Sequence, residues 1–355
     1  MTTLETQRPT AISPKLTLRW VWGYEKLDFT KPSTWWFFGK RFSGKSSGSE
    51  MIAAKHIDKG ATVFDLFAAR DNENLAWGRS PYQDVLYVVG DNAILKTDLP
   101  WCKVSDFSLK EAEKHQVVVT CPGFYLRNED LQYVSLSRLV DILKWRDEWE
   151  KLDVLVVREA SRLITSRIRA GKVKSRMEAQ YDFIDLHNEA YHTGLTACID
   201  SLRYKAIDID VREVANYTVV KKTGKMGFPE ELKFVLSKVH PNYLRRMPPG
   251  DLTLYTDNDN IAVGRFEEVP WHIERGENIM KSLKLVPEPD PKWKSGEVQD
   301  AHRGAEPEVN EEIHDRMVEM QSKGASYREI QREMGFSLET IFKHLKGRCS
   351  CHRSA

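Results

Sequence analysis

The stretch from Thr34 to Ser49, which contains a short glycine-rich turn, constrains the possible fold of this chain more than any other stretch. Five apolar or β-prone residues (34–38) end abruptly, and Gly39 to Ser46 read Gly-Lys-Arg-Phe-Ser-Gly-Lys-Ser, which fits G-x-x-x-x-G-K-[S/T] at every defined position. An amphipathic helical pattern follows. This order predicts a phosphate-binding P-loop, because glycines let successive backbone N–H groups point at one anion and the helix adds its N-terminal dipole.

The loop also predicts its own ligands. Lys45 is expected to reach the β- and γ-phosphates and to take part in catalysis, and the hydroxyl of Ser46 is expected to bind Mg²⁺. ATP and Mg²⁺ are therefore the expected cofactors. The loop residues expected to contact the nucleotide are Gly39, Lys40, Arg41, Phe42, Ser43, Gly44, Lys45, Ser46 and Ser47.

Apolar runs alternate with helical patterns from residue 15 to about residue 280. The runs predict strands at 15–25, 34–38, 61–68, 84–90, 116–121, 153–157, 194–200, 215–220, 252–255 and 261–266. Strands that alternate with helices predict an α/β fold with a mainly parallel sheet and helices on both faces. Together with the P-loop, this indicates a RecA/ASCE-like P-loop NTPase core.

The composition changes after residue 283. The stretch 284–308 is rich in proline and charge and has few large apolar residues, which predicts a linker. The chain is therefore expected to divide into five parts, which are a flexible tail (1–14), a P-loop ATPase domain (15–283), the linker, a small all-α domain (309–347) and a second tail (348–355).

Three short helices are predicted in the all-α domain. The first spans 309–323, the capping box Ser326-Tyr-Arg-Glu329 opens the second, and Ser337 caps the third, at 338–346. Two short helices joined by a glycine-containing turn form the helix-turn-helix arrangement. The apolar residues expected to share one small core are Ile330, Met334, Phe336, Ile341 and Leu345.

This segment resembles the helix-turn-helix at the C-terminus of site-specific recombinases and of many bacterial and archaeal regulators. The matching features are Gly324, residues 326–330, Gly335 and the helix after Ser337. The resemblance implies that helix 338–346 reads double-stranded DNA. The candidate DNA contacts are Ser337, Glu339, Thr340, Lys343, His344 and Lys346. A small trihelical bundle used for protein contacts is the alternative.

A P-loop ATPase needs a second strand beside the first, which normally carries an Asp for the Mg²⁺ shell and often a Glu that activates water. The candidate is residues 153–163, Asp-Val-Leu-Val-Val-Arg-Glu-Ala-Ser-Arg-Leu. It resembles the Walker B motif of the FtsK–HerA superfamily of DNA-pumping ATPases. The resemblance implies that Glu159 is the catalytic glutamate.

Arg158 departs from this resemblance, because it occupies the place of the usual Asp and a cation cannot bind Mg²⁺. Three outcomes remain open at this point. Ser46 with water molecules serves the metal, another acid (Asp65 or Asp200) substitutes, or hydrolysis is weak or absent.

Residues 194–212 resemble the sensor strand of the same superfamily and the helix that follows it. Asp200 and Ser201 stand in place of its polar pair, Arg203 matches its arginine, and Tyr204 replaces its proline. The resemblance implies that Asp200 and Ser201 bind the nucleotide and that Arg203 takes part in catalysis. It also implies a homo-oligomeric ring, of which a hexamer is one form.

The stretch 161–176 holds six basic residues and no acidic one, although the whole chain has a formal net charge of only +1. Such a local cluster can neutralise DNA phosphates. The stretch is a DNA-tracking loop, a source of an arginine finger for a neighbouring subunit, or a solvated basic loop. Its candidate DNA contacts are Arg167, Arg169, Lys172, Lys174 and Arg176.

Composition and cysteine usage add few constraints. The N-terminal residues have no apolar signal-peptide core, and no apolar run approaches the roughly 18 residues of a membrane span, so a cytoplasmic protein without membrane contact is expected. Cys102, Cys121 and Cys198 lie in or beside apolar runs and are expected to be reduced. Cys349 and Cys351 lack a usual zinc-site spacing.

Three functions fit these patterns. An ATP-driven DNA motor, of the translocation or packaging type and belonging to a virus, plasmid or other mobile element, accounts for the P-loop, Glu159, residues 194–212 and the C-terminal helices. The alternative is an ATP-switched DNA-binding regulator or partition-type protein with little or no hydrolysis, which Arg158 favours. A metabolite kinase explains neither the C-terminal helices nor residues 194–212.

Overall fold

The computed structural model of the protein describes residues 13–67, 73–82, 84–120, 129–144, 152–162, 174–190, 192–202, 204, 207, 209–223, 228–273, 278–293, 311–327, 330, 334, 341, 344 and 345. The chain divides into two compact units, Met1–Trp293 and Lys294–Ala355. The first unit contains the P-loop, and the second contains the predicted DNA-binding segment.

The described strands all belong to the first unit. They are β1 (Leu16–Trp22), β2 (Thr34–Phe38), β3 (Thr62–Phe67), β4 (Val85–Val89), β5 (Ala93–Lys96), β6 (Trp101–Lys103), β7 (Val117–Thr120), β8 (Asp153–Val157), β9 (Leu195–Ser201), β10 (Tyr217–Val220), β11 (Asp251–Thr256), β12 (Ile261–Phe266) and β13 (Val286–Pro289). One sheet of 11 strands has the order β1-β12-β11-β10-β2-β9-β8-β3-β7-β4-β6.

Strands β10 to β6 of this order pair in parallel, and β11, β12 and β1 extend one side of the sheet in antiparallel pairs. Every residue of β2, β8 and β9 is buried, which is expected of parallel strands covered by helices. The prediction of an α/β, mainly parallel P-loop NTPase core is confirmed.

The described α-helices are α1 (Lys45–Ile57), α2 (Leu109–Ala112), α3 (Glu129–Lys144), α4 (Lys174–Glu189), α5 (Ile209–Glu213), α6 (Lys233–Lys238), α7 (Pro241–Arg246), α8 (Ile279–Ser282) and α9 (Glu311–Ser322). Helix α1 follows the P-loop and packs against β2, β3, β8 and β9. Helices α3 and α4 pack against each other. Within the described ranges, no helix combines the length and apolar character needed to cross a bilayer.

Strand β9 lies between β2 and β8. The expectation that residues 153–157 flank the P-loop strand directly is therefore wrong. β9 pairs in parallel with both neighbours, with Asp200 opposite Phe37 and Cys198 opposite Val156. Strand β9 consequently supplies an acid, Asp200, that contacts Ser46 of the P-loop, because strand order and not chain order sets which strand ends are neighbours.

The start of the predicted linker is part of the first unit. β13 pairs antiparallel with β5 in a second, two-stranded sheet, and Lys103 and Asp290 form a side-chain ion pair. Proline is tolerated there because an edge strand can lack an N–H donor. The other predicted domain boundaries remain predictions.

The second unit has a small apolar core. Met317 on α9 is buried together with Ile330 and Ile341, and the half-buried residues around them include Met334 and Leu345. Four of the five residues expected in this core are therefore found in it, while Phe336 lies outside the described residues. The first predicted helix is confirmed by α9, whereas most of the second and third lie outside the described residues.

Candidate nucleotide-binding site

The carboxyl ends of the parallel strands meet at one edge of the sheet, and the candidate site is built at this edge. β2 ends at Phe38 and continues into the P-loop, β9 ends in Asp200 and Ser201, and β8 is followed by Arg158 and Glu159. Ligands of open α/β sheets bind at this edge, where loops and helix N-termini converge. The topology therefore gathers these residues from segments that are far apart in the chain.

Gly44 determines how the P-loop enters α1. Its φ angle is +77°, a left-handed value that glycine adopts readily, and an added Cβ would lie 2.3 Å from the carbonyl oxygen of Pro249. A side chain at this position would be both strained and blocked. No acidic residue belongs to the first turn of α1, so no side chain of that turn neutralises the positive end of the helix dipole.

The side chains of the loop divide into an outer and an inner group. Lys40, Arg41 and Phe42 are exposed, so a phosphate inside the loop would meet their backbone N–H groups and not their side chains. Ser43 and Lys45 are buried. Within the described residues the Ser43 hydroxyl has no hydrogen-bond partner, and the Lys45 ammonium donates to the Lys40 carbonyl at 3.2 Å. A phosphate could accept hydrogen bonds from both.

Asp200 is the acid that the fold brings to the P-loop. Its Oδ2 accepts a hydrogen bond from the hydroxyl of Ser46 at 3.1 Å, and its Oδ1 accepts one from the backbone N–H of Glu159 at 2.7 Å. Burial raises the pKa of Asp200 to about 6, and the positive charge of Lys45 opposes this rise. One carboxylate thus connects the P-loop to the end of β8.

Glu159 is half-buried and has a φ angle of +47°. A residue with a Cβ loses about 1–2 kcal/mol in this left-handed conformation. The hydrogen bond from its N–H to Asp200 helps to hold the backbone there. Strained conformations of this kind are concentrated at functional sites. The position is compatible with the predicted role of Glu159, which remains a prediction.

Arg158 is enclosed by acidic side chains and is only 1% exposed. Its Nη2 lies 2.6 Å from Oδ2 of Asp65 on β3, and its Nη1 lies 2.8 Å from Oε1 of Glu50 on α1. Glu73 is more distant at 3.8 Å, and Nδ1 of His272 lies 2.9 Å from the second oxygen of Glu50. The guanidinium therefore neutralises the carboxylates that surround it.

The ionisation of this buried cluster follows from its contacts. Burial alone would lower the pKa of Arg158, but Asp65 and Glu50 outweigh it and raise that pKa. Burial would raise the pKa of Glu50, but Arg158 and His272 lower it. Burial would lower the pKa of His272, and Glu50 raises it above its ordinary value. Arg158 and Glu50 are therefore charged at neutral pH.

Asp65 does not act as the substitute metal acid. Both of its carboxylate oxygens accept hydrogen bonds from Arg158, and Oδ2 also accepts one from Nε1 of Trp77 at 2.9 Å. Since these donors occupy the carboxylate, Asp65 serves as the counter-ion of Arg158. Of the two acids proposed from the sequence, only Asp200 touches Ser46.

The residues present fit a Mg²⁺ ion. Mg²⁺ binds hard oxygen ligands and usually takes one or two protein groups together with substrate phosphates and water. The hydroxyl of Ser46 and the carboxylate of Asp200 supply two such oxygens side by side at the mouth of the P-loop. Among the described residues no group of three or more His, Cys, Asp or Glu side chains could hold a metal, and a magnesium site completed by phosphate oxygens does not need one.

Other predicted site residues are placed less directly, or not at all. The hydroxyl of Ser201 accepts a hydrogen bond from Nε1 of Trp36 at 3.4 Å, so the Ser201 side chain contacts the neighbouring strand β2. The ring of His344 is engaged inside the second unit, where its Nδ1 lies 3.3 Å from Nδ1 of His314. The remaining candidates lie outside the described residues or have undescribed side chains, and they are Arg203, Arg167, Arg169, Lys172, Lys174, Arg176, Ser337, Glu339, Thr340, Lys343 and Lys346.

Several residues of the site region were not identified from the sequence. Glu50, Glu73 and His272 contact or neighbour the Arg158 cluster, and Lys221 lies beside the P-loop. The available signal was Arg158 itself, because a buried guanidinium at the end of an apolar strand requires carboxylate partners. The chain offers many acids, and their pairing depends on the strand order.

Comparison with known proteins gives fold-level likenesses only. No family model matches the chain, and no curated protein matches it. Among solved structures, it is similar to the genome packaging NTPase B204 of Sulfolobus turreted icosahedral virus 2 in complex with ATP-γ-S (14% identity, 66% of this chain and 97% of that chain, TM-score 0.40). It is also similar to the pCW3 conjugation coupling protein TcpA with ATPγS (16% identity, 76% of this chain and 70% of that chain, TM-score 0.40). A third similar structure is VirB4 of Thermoanaerobacter pseudethanolicus (13% identity, 70% of this chain and 92% of that chain, TM-score 0.46).

Proposed function

We propose that this protein binds and hydrolyses Mg²⁺–ATP and uses the energy to move or package double-stranded DNA. The observation that carries the ATPase part is the hydrogen bond between Ser46 and Asp200 at the mouth of the P-loop, with Lys45 beside it. A hydroxyl and a carboxylate side by side next to a phosphate-binding loop are the protein ligands that a nucleotide-bound Mg²⁺ requires.

Each residue then has a distinct role. The backbone of residues 39–47 and the ammonium of Lys45 would hold the phosphates, and Ser46 and Asp200 would hold Mg²⁺. The metal, when bound, neutralises charge on the β- and γ-phosphates. Glu159 orients and polarises the attacking water as general base. Because the backbone N–H of Glu159 donates a hydrogen bond to Asp200, the general base is held at a fixed position relative to the metal ligand.

The DNA part of the proposal is supported by sequence features and by the second unit. The basic stretch 161–176 would contact DNA or supply an arginine to a neighbouring subunit, with Arg203 reading the γ-phosphate. The apolar core around α9 supports a small helical module, as a helix-turn-helix requires. The proposal includes a homo-oligomeric ring, such as a hexamer, and an origin in a virus, plasmid or other mobile element.

A second function is favoured by Arg158. The usual Walker B acid is absent, and the guanidinium in its place forms ion pairs with Asp65 and Glu50. Among the described acids, only Asp200 touches Ser46, so Asp200 would have to bind Mg²⁺ without a second carboxylate. If it does not, the protein is an ATP-switched DNA-binding regulator that binds ATP and hardly hydrolyses it.

ATP turnover with and without duplex DNA, measured on the full chain, tests the proposal. Lys45→Ala is expected to abolish ATP binding, and Glu159→Gln to keep binding and lower kcat by about 10²–10⁴-fold, the usual share of a general base. Asp200→Asn should lower kcat and raise the Mg²⁺ concentration needed for half-maximal turnover. Asp182→Asn is the matched control, because burial also raises the pKa of Asp182 to about 6 but that residue lies on α4.

The outcomes separate the two functions. DNA-stimulated turnover that needs Lys45, Glu159 and Asp200 supports the motor. Tight ATP binding without turnover, with discrete DNA footprints, supports the regulator. Equal turnover in wild type, Lys45→Ala and Glu159→Gln would show that this site performs no catalysis.

A further inference from the structure

Lys221 lies directly behind the P-loop and has no part in the chemistry described above. It follows β10, which pairs in parallel with the P-loop strand β2. Its backbone N–H donates to the Phe38 carbonyl at 2.9 Å, and the next residue, Lys222, accepts a hydrogen bond from the N–H of Lys40 at 3.0 Å. A Cβ added to Gly39 would lie 2.8 Å from the Cβ of Lys221. Lys221 therefore packs directly against the first residues of the P-loop.

The side chain of Lys221 reaches a turn that supports the other end of the P-loop. Its Nζ donates to the backbone carbonyls of Pro249 and Asp251, and it lies 4.3 Å from the ring centre of Phe266. The Pro249 carbonyl is the atom that an added Cβ on Gly44 would meet at 2.3 Å. One ammonium thus connects the backbone under Gly39 to the backbone under Gly44.

The charges around this ammonium are few and identifiable. Lys221 as a whole is 0% exposed. Asp251 on β11 is the facing carboxylate, but it is shared, because its Oδ1 accepts a hydrogen bond from Nε of Arg265 on β12 at 2.5 Å. Lys45 at the start of α1 is the facing cation. Burial lowers the pKa of Lys221 to about 7, with Asp251 opposing and Lys45 reinforcing this fall.

We propose that Lys221 is a positioning residue that keeps the turn at 248–251 against Gly44 and thereby holds the P-loop in its phosphate-binding shape. The proposal rests on the proposed nucleotide binding. The charged ammonium makes stronger hydrogen bonds to the two carbonyls than the neutral amine does. A phosphate bound at Lys45 offsets the repulsion between the two lysines and favours the charged form of Lys221. ATP binding is therefore coupled to the protonation of Lys221.

Equilibrium binding of ATP to the full chain from pH 6 to pH 8.5 tests this coupling. If the neutral form of Lys221 binds ATP about tenfold more weakly, a pKa of about 7 predicts an affinity about fivefold lower at pH 8 than at pH 6. Lys221→Met should weaken binding about tenfold at pH 6 and remove this dependence. Lys221→Gln, which keeps one donor, should give an intermediate affinity and the same loss of pH dependence.

Lys238→Met is the matched control. Lys238 also places its ammonium over an aromatic ring, that of Trp22 at 3.5 Å, but it lies on α6. This variant should keep the wild-type pH profile. The γ-phosphate of ATP also titrates in this range, but it does so equally for every variant. The ratio of variant to wild-type affinity therefore isolates Lys221.

Calorimetry of wild-type protein at pH 8, in buffers of different ionisation enthalpy, gives a second readout that needs no variant. Net proton uptake on ATP binding is expected there. The proposal is overturned by ATP binding without proton uptake, or by a pH profile that Lys221→Met shares with wild type. Failure of the wild type to bind ATP at any pH would instead overturn the proposed function, so the two failures are distinguishable.

Discussion

Replacing Arg158 with aspartate would restore the acid that Walker B strands usually carry, and we expect it to destabilise the core and not to improve hydrolysis. Arg158 lies between Asp65 and Glu50, and all three are at most 1% exposed. Removing one partner of a buried ion pair costs about 3–5 kcal/mol, because the other charge is left uncompensated. Arg158→Met should therefore lower the free energy of unfolding by about 3–5 kcal/mol.

Arg158→Asp should have a larger effect, because it adds a third carboxylate to the same buried space. Domains of ordinary stability unfold at a cost of about 5–15 kcal/mol, so this variant should lie near the limit of folding. The double variant Arg158→Met/Asp65→Asn should recover part of the loss, because it removes one of the two uncompensated charges. Urea denaturation followed by tryptophan fluorescence measures all three changes.

The pH dependence provides an independent check. In Arg158→Met the folded-state pKa of Glu50 rises above its unfolded value, and the pKa of Asp65, which burial already raises in the wild type, rises further, because the guanidinium no longer opposes burial. The folded variant therefore binds more protons than the unfolded chain, and its deficit relative to wild type grows as the pH rises above about 4. The deficit should be larger at pH 7.5 than at pH 5.

The control is Arg265→Met, which breaks an ion pair with Asp251 in which the arginine is exposed. A solvated arginine contributes little, so this variant should lose much less stability than Arg158→Met. The reasoning would be refuted if Arg158→Asp kept the wild-type urea midpoint or hydrolysed ATP faster than wild type. The first result would mean that the guanidinium does not neutralise the acids around it, and the second that an acid at this position improves catalysis.

Two further predictions concern the surroundings of the P-loop. Gly44→Ala should weaken ATP binding strongly, because its Cβ would meet the Pro249 carbonyl. Gly60→Ala is the control, because Gly60 has a φ angle of +95° but no atom within 4 Å of an added Cβ. This variant should lose only some thermal stability and bind ATP normally. His272→Gln should remove a stabilisation that depends on pH, because Glu50 raises the pKa of His272. This contribution is complete below the unfolded pKa of about 6.5 and is lost as the pH rises through the folded pKa. Thermal unfolding between pH 6 and pH 9 would detect this loss.

Local patterns were sufficient to predict most of the core elements. β8 is found at the predicted residues 153–157, and α9 agrees with the first C-terminal helix within a few residues. Such elements are specified by apolar runs and capping residues that are neighbours in the chain. The short strands β5, β6 and β13 were not predicted, because each has only three or four residues, which is too short for a periodic pattern.

The P-loop is the part of the site that the sequence alone determined. Its glycines, Lys45 and Ser46 act through backbone geometry and a helix N-terminus that lie within eight residues of each other. The role of Glu159 was predicted from the resemblance of residues 153–163 to a Walker B motif, and it remains a prediction.

Only the tertiary structure decided which acid serves the P-loop and what Arg158 does. Asp200 is 154 positions from Ser46, and Asp65 is 93 positions from Arg158. Their contacts depend on the insertion of β9 between β2 and β8 and on the pairing of β8 with β3. Strand order arises from the packing of the whole sheet, and a buried charge takes as its partner the carboxylate that this order brings within reach.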